Sequence, residues 1–454
     1  MTNRPDIYVV VWDCARADRV SGFGYGRPTT PFLDRLIAEG HGFDHAYSAA
    51  VWSLPAYTSL LTGLYPSQHG VNESDRRLSP LAPTLPHALR REGYATACFS
   101  NNAWLSPTFG LGTGFDVFHT MWFSAQRELA RKAEFLMSYA GGQIIGDVDK
   151  GARRTNARLL DWLDALDERP AFAFLAYVEP HTPYKPHRKI VRELAPPGFD
   201  GFEYETFEEY KWVLDFPDQA PLPERHQMEI DLRYDAEMRF IDGQLEALFG
   251  ELEARGRLDN AIVIVTADHG EMLGEQDIYA HQFSVGEPLR RVPLVVWGPG
   301  VVGAAPVHHE TVQTVDLAHA LTGIVGAEWA PHEHTQALFD TERDVAVTEY
   351  PEPFMTSIRR IYPDANLRAI DRGLRCISRD RHKVVEIDGA TYVGYDLRAD
   401  PEERRPLDVE EVPELSSLAD RLRAFVSDTD LYQTADADMP DEVKAHLRAL
   451  GYIQ

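Results

Sequence analysis

The feature that most constrains this chain is a set of short apolar runs, each long enough for a strand, separated by stretches with helical punctuation. The runs are IYVVVW (Ile7–Trp12), YATACF (Tyr94–Phe99), AFAFLAYV (Ala171–Val178), AIVIVTA (Ala261–Ala267) and VPLVVWG (Val292–Gly298). They are apolar on both faces, as strands covered by helices on each side must be. Between them, TTPFLDRLIAEG opens at Thr30 with Pro31 in the first turn and stops at Gly40, and TLPHALRREG repeats that grammar from Thr84 to Gly93. A third amphipathic helix is predicted over about Asp231 to Arg255, leading into AIVIVTA. The alternation predicts an α/β fold with a mostly parallel sheet flanked by helices. Residues 120–160 read as helical and peripheral. Residues 190–228, aromatic, acidic and proline-punctuated, read as a solvated excursion, with a lid over a pocket as the alternative. After about residue 335 the rhythm changes to VAVTEY, LRCISRD, HKVVEI and TYVGYDL, which predicts a small antiparallel sheet followed by helices. The expected division is a large α/β domain over 1–335 and a small α+β subdomain over 336–454.

Three of the predicted strands end alike. IYVVVW runs into Asp13, AFAFLAYV into Glu179-Pro180-His181, and AIVIVTA into Asp268-His269. In an open α/β sheet, ligands bind beyond the carboxyl ends of the strands, so these ends are expected to share one crevice. Asp13, Asp268 and His269 together offer carboxylate oxygens and an imidazole nitrogen, a set suited to a divalent cation. The plainer reading is that Asp268 and His269 cap a following helix, with Glu271 as its first-turn acid.

Ser53, in AVWSLPAYTSLLTG, also has two readings. With Pro55 behind it, it reads as a helix cap. A helix N-terminus also attracts anions, and a hydroxyl placed there beside a divalent metal ionises more readily and can attack a tetrahedral anion. Other residues read more plainly: Arg16 as a structural arginine, and His308-His309 as an exposed pair away from the chemistry.

The charge balance narrows the partners. With 71 acidic and 45 basic residues the formal charge is −26, and arginine far outnumbers lysine. Nucleic acid and anionic membranes would be repelled, and such acidity is expected of a protein kept soluble at high salt, in a halophilic source. Cys14, Cys98 and Cys376 are too few and too scattered for a disulfide framework or a zinc cluster. The amino terminus lacks a charged leader before a long apolar core, and no stretch approaches the roughly 20 apolar residues of a membrane span. A soluble, cytoplasmic protein is expected.

Taken together, DCARAD from Asp13, SLPAYTSLLTG then YPSQHGV from Ser53, EPHTPY from Glu179, ADHGEMLGEQ from Ala267 followed by RRVPLVVWGPG, and YDLRADPEE from Tyr395 resemble the arylsulfatase-like sulfatase family of the alkaline phosphatase superfamily, in the family's order and over most of the chain. The resemblance implies a metal held by Asp13, Ser53, Asp268 and His269, with Ser53 at the nucleophile position. It implies that His181 contacts the substrate anion or protonates the leaving group, and that His281 binds the same anion. Asn101 and Asn102 occupy the segment where animal arylsulfatases carry lysine and histidine, and are expected to bind substrate. The expected metal is one divalent ion, Ca²⁺, Mn²⁺ or Mg²⁺, with Zn²⁺ as an alternative. Glu179, His181, His187 and His281 are the candidates for a second metal site. Two departures stand out. The signature C/S-x-P-x-R, whose first residue is oxidised to formylglycine, has Tyr57 in the arginine position, and Cys14 stands where a further carboxylate often occurs. The implied activity is hydrolysis of a sulfate ester of a small molecule or glycan through formylglycine or serine at position 53. The alternatives are phosphomonoester, phosphodiester or phosphonate chemistry, or phosphoryl transfer, through an unmodified Ser53, and a non-catalytic anion-binding relative.

Overall fold

The structure, a computed structural model, describes residues 4–121, 148–202 and 223–449 apart from residues 186, 300, 302–305, 330–333, 337, 339–342, 354, 356–358, 360–366, 368–369, 428–431 and 433–438. In chain order the strands are β1 (Asp6–Trp12), β2 (His41–Tyr47), β3 (Ala95–Ser100), β4 (Val117–Thr120), β5 (Ala171–Tyr177), β6 (Ala261–Thr266), β7 (Met272–Leu273), β8 (Tyr279–Ala280), β9 (Arg291–Trp297), β10 (Val307–His308), β11 (Val312–Gln313), β12 (Ala346–Tyr350), β13 (Leu374–Arg379), β14 (His382–Ile387) and β15 (Thr391–Asp396).

The main sheet runs β10-β2-β9-β6-β1-β5-β3-β4, with β11 also paired to β2. β1 lies at its centre, parallel to β5 and β6, and all seven of its residues are buried. β3 is parallel to β4 and β5. β9 departs from the parallel rule, running antiparallel to both β2 and β6. The expected mixed, mostly parallel sheet is therefore present, and its five central apolar runs are the ones read from the sequence. β2 was not anticipated. Its sequence, HGFDHAY, lacks a continuous apolar run, and it is a strand because β9, β10 and β11 pair with it.

Two helices position the chemistry. The helix Pro31–Glu39 starts where the proline predicted, but Thr30 makes no side-chain cap. Instead the Asp242 carboxylate accepts the Phe32 and Leu33 N–H groups at 2.9 and 2.8 Å, satisfying two of the donors every helix start leaves open. The helix Ser53–Thr62 is buried at all ten residues. Trp52 takes the cap position with extended backbone, and Ser53 is the first helical residue, so the reading of Ser53 as a cap is corrected. The reading of Asp268-His269 as a cap also fails. The chain after Gly270 enters β7, not a helix, so Glu271 is not a first-turn acid either.

The third predicted helix, Glu224–Ala254, begins seven residues before the expected start at 231. Of the helical expectation for 120–160, residues 122–147 lie outside the described ones, and Ala152–Asp164 is a helix. The 190–228 expectation falls largely on 203–222, also outside the described residues.

The predicted small sheet is β12-β13-β14-β15, antiparallel throughout, with helices Pro413–Ser427 and Asp441–Ala449 after it. It joins the main body directly. Glu349 N–H donates to Ala49 O at 2.8 Å and Thr348 Oγ1 to Ser48 O at 2.6 Å, immediately upstream of Ser53. Among the described residues no helix is long and apolar enough to cross a membrane.

Candidate active site

The strand ends meet as the sheet order requires. β1 and β6 are neighbours in register, Val11 beside Thr266, so the residues that follow them emerge side by side. Asp13, Ser53, Asp268 and His269 are each fully buried. His269 Nε2 lies 3.4 Å from Asp268 Oδ2, 3.8 Å from Asp13 Oδ1 and 3.3 Å from Ser53 Oγ. From the end of β3, Asn102 Nδ2 donates to Asp13 Oδ2 at 2.6 Å and to Ser53 Oγ at 3.1 Å. The Trp104 N–H donates to Asn102 Oδ1 at 2.8 Å, which fixes that amide orientation.

Local backbone geometry holds these groups in place. Cys14 adopts a left-handed conformation, φ +67°, which turns the chain sharply after Asp13. Its N–H and that of His269 both donate to Asp268 Oδ1, at 3.3 and 2.9 Å. Ser48 Oγ donates to the Asp268 carbonyl and so ties the segment before Ser53 to the end of β6. Gly270 is required: its N–H donates to Leu289 O at 2.7 Å, and a Cβ there would lie 1.9 Å from Pro288 O.

The electrostatics are unbalanced. Asp268 Oδ2 is buried and accepts no hydrogen bond. Among the described residues neither Asp13 nor Asp268 pairs with a lysine or arginine. Burial and the neighbouring Asp268 charge push the Asp13 carboxyl well above its usual range, the response expected of two crowded carboxylates lacking a counter-charge. A carboxylate oxygen from each aspartate and a nitrogen of His269 lie within 4.8 Å of one another. An orphaned carboxylate oxygen, a second carboxylate and an imidazole around one point fit a divalent cation, with Ser53 Oγ as a further donor. His269 Nδ1 lies 2.8 Å from Gly270 O, a contact in which only an Nδ1–H can donate. That leaves Nε2 as the ligating atom, the usual arrangement for a metal-binding histidine.

A second layer of buried side chains lies against these groups. The His281 ring lies 4.7 Å from that of His269 and 4.8 Å from that of His181. His281 Nδ1 is 2.9 Å from Glu271 Oε1, and Glu271 Oε2 also accepts the Thr182 N–H at 3.3 Å. His181 Nδ1 contacts the Thr182 carbonyl. Burial, reinforced by His281, drives the His181 pKa well below that of a free imidazole, so the resting ring is neutral. Cys14 Sγ lies 3.3 Å from Asp13 Oδ1 and 3.7 Å from His281 Nδ1. Burial and the Glu271 charge push its thiol far up, so it is protonated and a poor nucleophile.

Other predicted residues turn away from the center. Asn101 donates to Lys150 O at 2.7 Å, and its carbonyl faces His446. Glu179 accepts the Lys150 N–H at 2.9 Å, and His187 Nε2 lies 3.5 Å from Glu237 Oε2. The second-metal set of Glu179, His181, His187 and His281 is thus split between two neighborhoods. Arg16 is structural: it holds Asp18 and Glu275 and donates to Glu271 O. Two neighbours of the site are not read as such from the sequence, Glu271 because it reads as a first-turn acid and Lys150 because nothing singles it out. Glu271 orients His281, and Lys150 Nζ bonds the His181 carbonyl at 2.6 Å. Glu271 sits within the quoted ADHGE motif, so its signal was present; Lys150 carries none.

A sulfatase family model matches residues 5–327. An uncharacterized sulfatase of Escherichia coli is 25% identical over 436 residues, covering 89% of this chain and 83% of that one. A choline-sulfatase of Rhizobium meliloti is 23% identical, covering 72% of this chain and 68% of its own. Among solved structures, the phosphonate monoester hydrolase of Agrobacterium radiobacter superposes with a TM-score of 0.71 at 21% identity, over 96% of this chain and all of that one. The chain belongs to the sulfatase family of the alkaline phosphatase superfamily, hydrolases of sulfuric esters.

Proposed function

We propose that the chain hydrolyses a sulfate ester of a small molecule or glycan, with position 53 as the attacking group. The observation that carries this reading is the meeting of Asp13, Ser53, Asp268 and His269, far apart in sequence, around an uncompensated carboxylate oxygen. Asp13, Asp268, His269 and Ser53 would hold the cation. When bound, it lowers the cost of negative charge on the attacking oxygen and on the ester oxygens. The oxygen-rich set supports Ca²⁺, Mg²⁺ or Mn²⁺ ahead of Zn²⁺.

The chain's own groups supply the rest. Asn102 Nδ2 holds Ser53 Oγ in place, and the start of the helix Ser53–Thr62 adds partial positive charge where an anionic group binds. His281, oriented by Glu271, and His181 lie against the same groups. A bound anion favours the protonated imidazole, so His181 can take up a proton and deliver it to the departing alkoxide. The acidity of the chain supports a high-salt setting, and three free buried cysteines fit a reducing, cytoplasmic one.

A phosphate or phosphonate ester is the second reading, with Ser53 acting as an unmodified alcohol. Tyr57 favours it, because an aromatic side chain buried against Phe174 stands where the formylglycine signature has arginine.

The test pairs turnover of p-nitrophenyl sulfate and p-nitrophenyl phosphate with the mass of the peptide carrying Ser53. Sulfate turnover that Ser53→Ala abolishes supports the proposal. An intact serine with phosphate turnover alone moves the assignment to the second reading, and full activity of Ser53→Ala on either ester removes the site.

A further inference from the structure

The unanticipated strand β2 carries a second group of metal-type ligands. Its pairing with β9 jumps from Phe43 opposite Leu294 to Ala46 opposite Val292, so Asp44 and His45 together stand opposite Pro293. Proline has no N–H to offer the ladder, and the extra residue makes a β-bulge. Consecutive side chains of a regular strand point to opposite faces. The bulge instead brings His45 Nδ1 to 2.6 Å from Asp44 Oδ1. β10 lies parallel to β2 with His308 beside Phe43, so the next residue, His309, arrives next to Asp44, its Nδ1 2.9 Å from Asp44 Oδ2. His41 Nδ1 and His308 Nε2, 2.7 Å apart, hold the two strands together alongside.

We propose that Asp44, His45 and His309 form a second metal site at the sheet edge, taking a divalent transition ion of the Zn²⁺ class. One ligand atom from each residue lies within 4.8 Å of the others. Three ligands at about 2.0–2.2 Å from one ion would sit roughly 3–3.5 Å apart, so the Asp44–histidine contacts at 2.6 and 2.9 Å open slightly as the ion replaces the protons they share. Two imidazoles and one carboxylate favour borderline ions over Ca²⁺ or Mg²⁺, in contrast to the oxygen-rich set at Asp13. The Asp44 side chain is 10% exposed and that of His309 73%, so the site is anchored in the fold and open to water for the remaining position. Arg291 Nη2, 3.9 Å from Asp44 Oδ2, competes with the ion for the carboxylate and limits affinity. The ion would clip β10 onto β2.

The test compares full-length wild-type protein with His309→Ala and Asp44→Asn. Each is stripped with chelator, exposed to Zn²⁺, passed through gel filtration and assayed for bound zinc. The wild type is expected to keep one equivalent more than either variant, and His309→Ala to weaken that binding at least about tenfold while leaving ester turnover unchanged. A Co²⁺ titration provides an independent readout, with a visible absorption band that is lost in His309→Ala. Equal zinc content and identical cobalt spectra in wild type and His309→Ala would overturn the proposal and leave Asp44 as an ion-pair partner of two histidines.

Discussion

Among the described residues, two largely buried charge clusters differ in one respect. Between the small sheet and the main body, Lys383 and Arg290 meet Glu287 and Glu403. Lys383 Nζ contacts Glu403 and donates to Val285 O at 2.6 Å. Arg290 donates to Thr348 Oγ1, Ser378 Oγ, Glu287 Oε1 and Ala346 O at 3.1, 2.8, 3.2 and 3.1 Å. Two cations face two carboxylates, and their charges hold Glu287 below its usual range, while burial still lifts Glu403 above its own. At the strand ends Asp13 and Asp268 are fully buried, but no cationic side chain among the described residues answers them. Burial of charge therefore does not distinguish a working site from a structural one. The missing counter-charge does, because two buried carboxylates are tolerated side by side only when something else supplies the balance, here the proposed cation.

The contrast can be broken most directly at Asp268. Asp268→Asn is expected to cut turnover by at least about 10³-fold and to reduce bound divalent metal. In chelator-stripped protein its thermal stability should equal or exceed that of the wild type, because an uncompensated charge is gone. A clear loss of stability without metal would show that Asp268 is structural, like the other cluster. Lys383→Ala should do the reverse. Leaving Glu403 buried and unpaired is expected to cost about 3–5 kcal/mol in denaturant unfolding, with kcat of the remaining folded enzyme preserved.

Asp242 refines the same comparison through pH. Burial raises its pKa from the carboxylate range to about 7, so between those values the folded state binds a proton that the unfolded chain has lost. Its contribution to stability is complete at acid pH and is lost as pH rises toward 7. Relative to wild type, Asp242→Asn should flatten the fall in unfolding free energy over this range by at most about 1.4 kcal/mol per pH unit. Identical pH slopes would place the group outside this linkage. The smallest effect is expected from Cys14→Ser, with turnover within a few-fold of wild type because the buried thiol is protonated; loss of activity would give the sulfur a direct role.

What the sequence made legible follows from where stabilisation is local. β1, β5 and β6 were readable because buried parallel strands must be apolar along their whole length, and the acids ending them stood out for the same reason. Ser53 was readable through its motif, but its cap was not: Trp52 holds that position, and nothing local announces it. β2 was hidden because its neighbours, rather than its own composition, make it a strand. The Asp242 carboxylate that caps the helix Pro31–Glu39 comes from about 210 positions away, beyond any local signal. Glu271 was set aside on the assumption of a helix that does not form, which shows how an error in secondary structure becomes an error in chemistry.

The bonds from Thr348 and Glu349 to Ser48 and Ala49 have a consequence for how the chain came to be arranged as it is. The segment just before Ser53, the proposed nucleophile, is braced both by the end of β6 and by a strand encoded some 300 positions later. Synthesis must therefore run well past His269 before the segment leading to Ser53 has both of its supports, and a nascent product halted at the close of the large sheet would carry Asp13, Ser53, Asp268 and His269 with one support still unfastened.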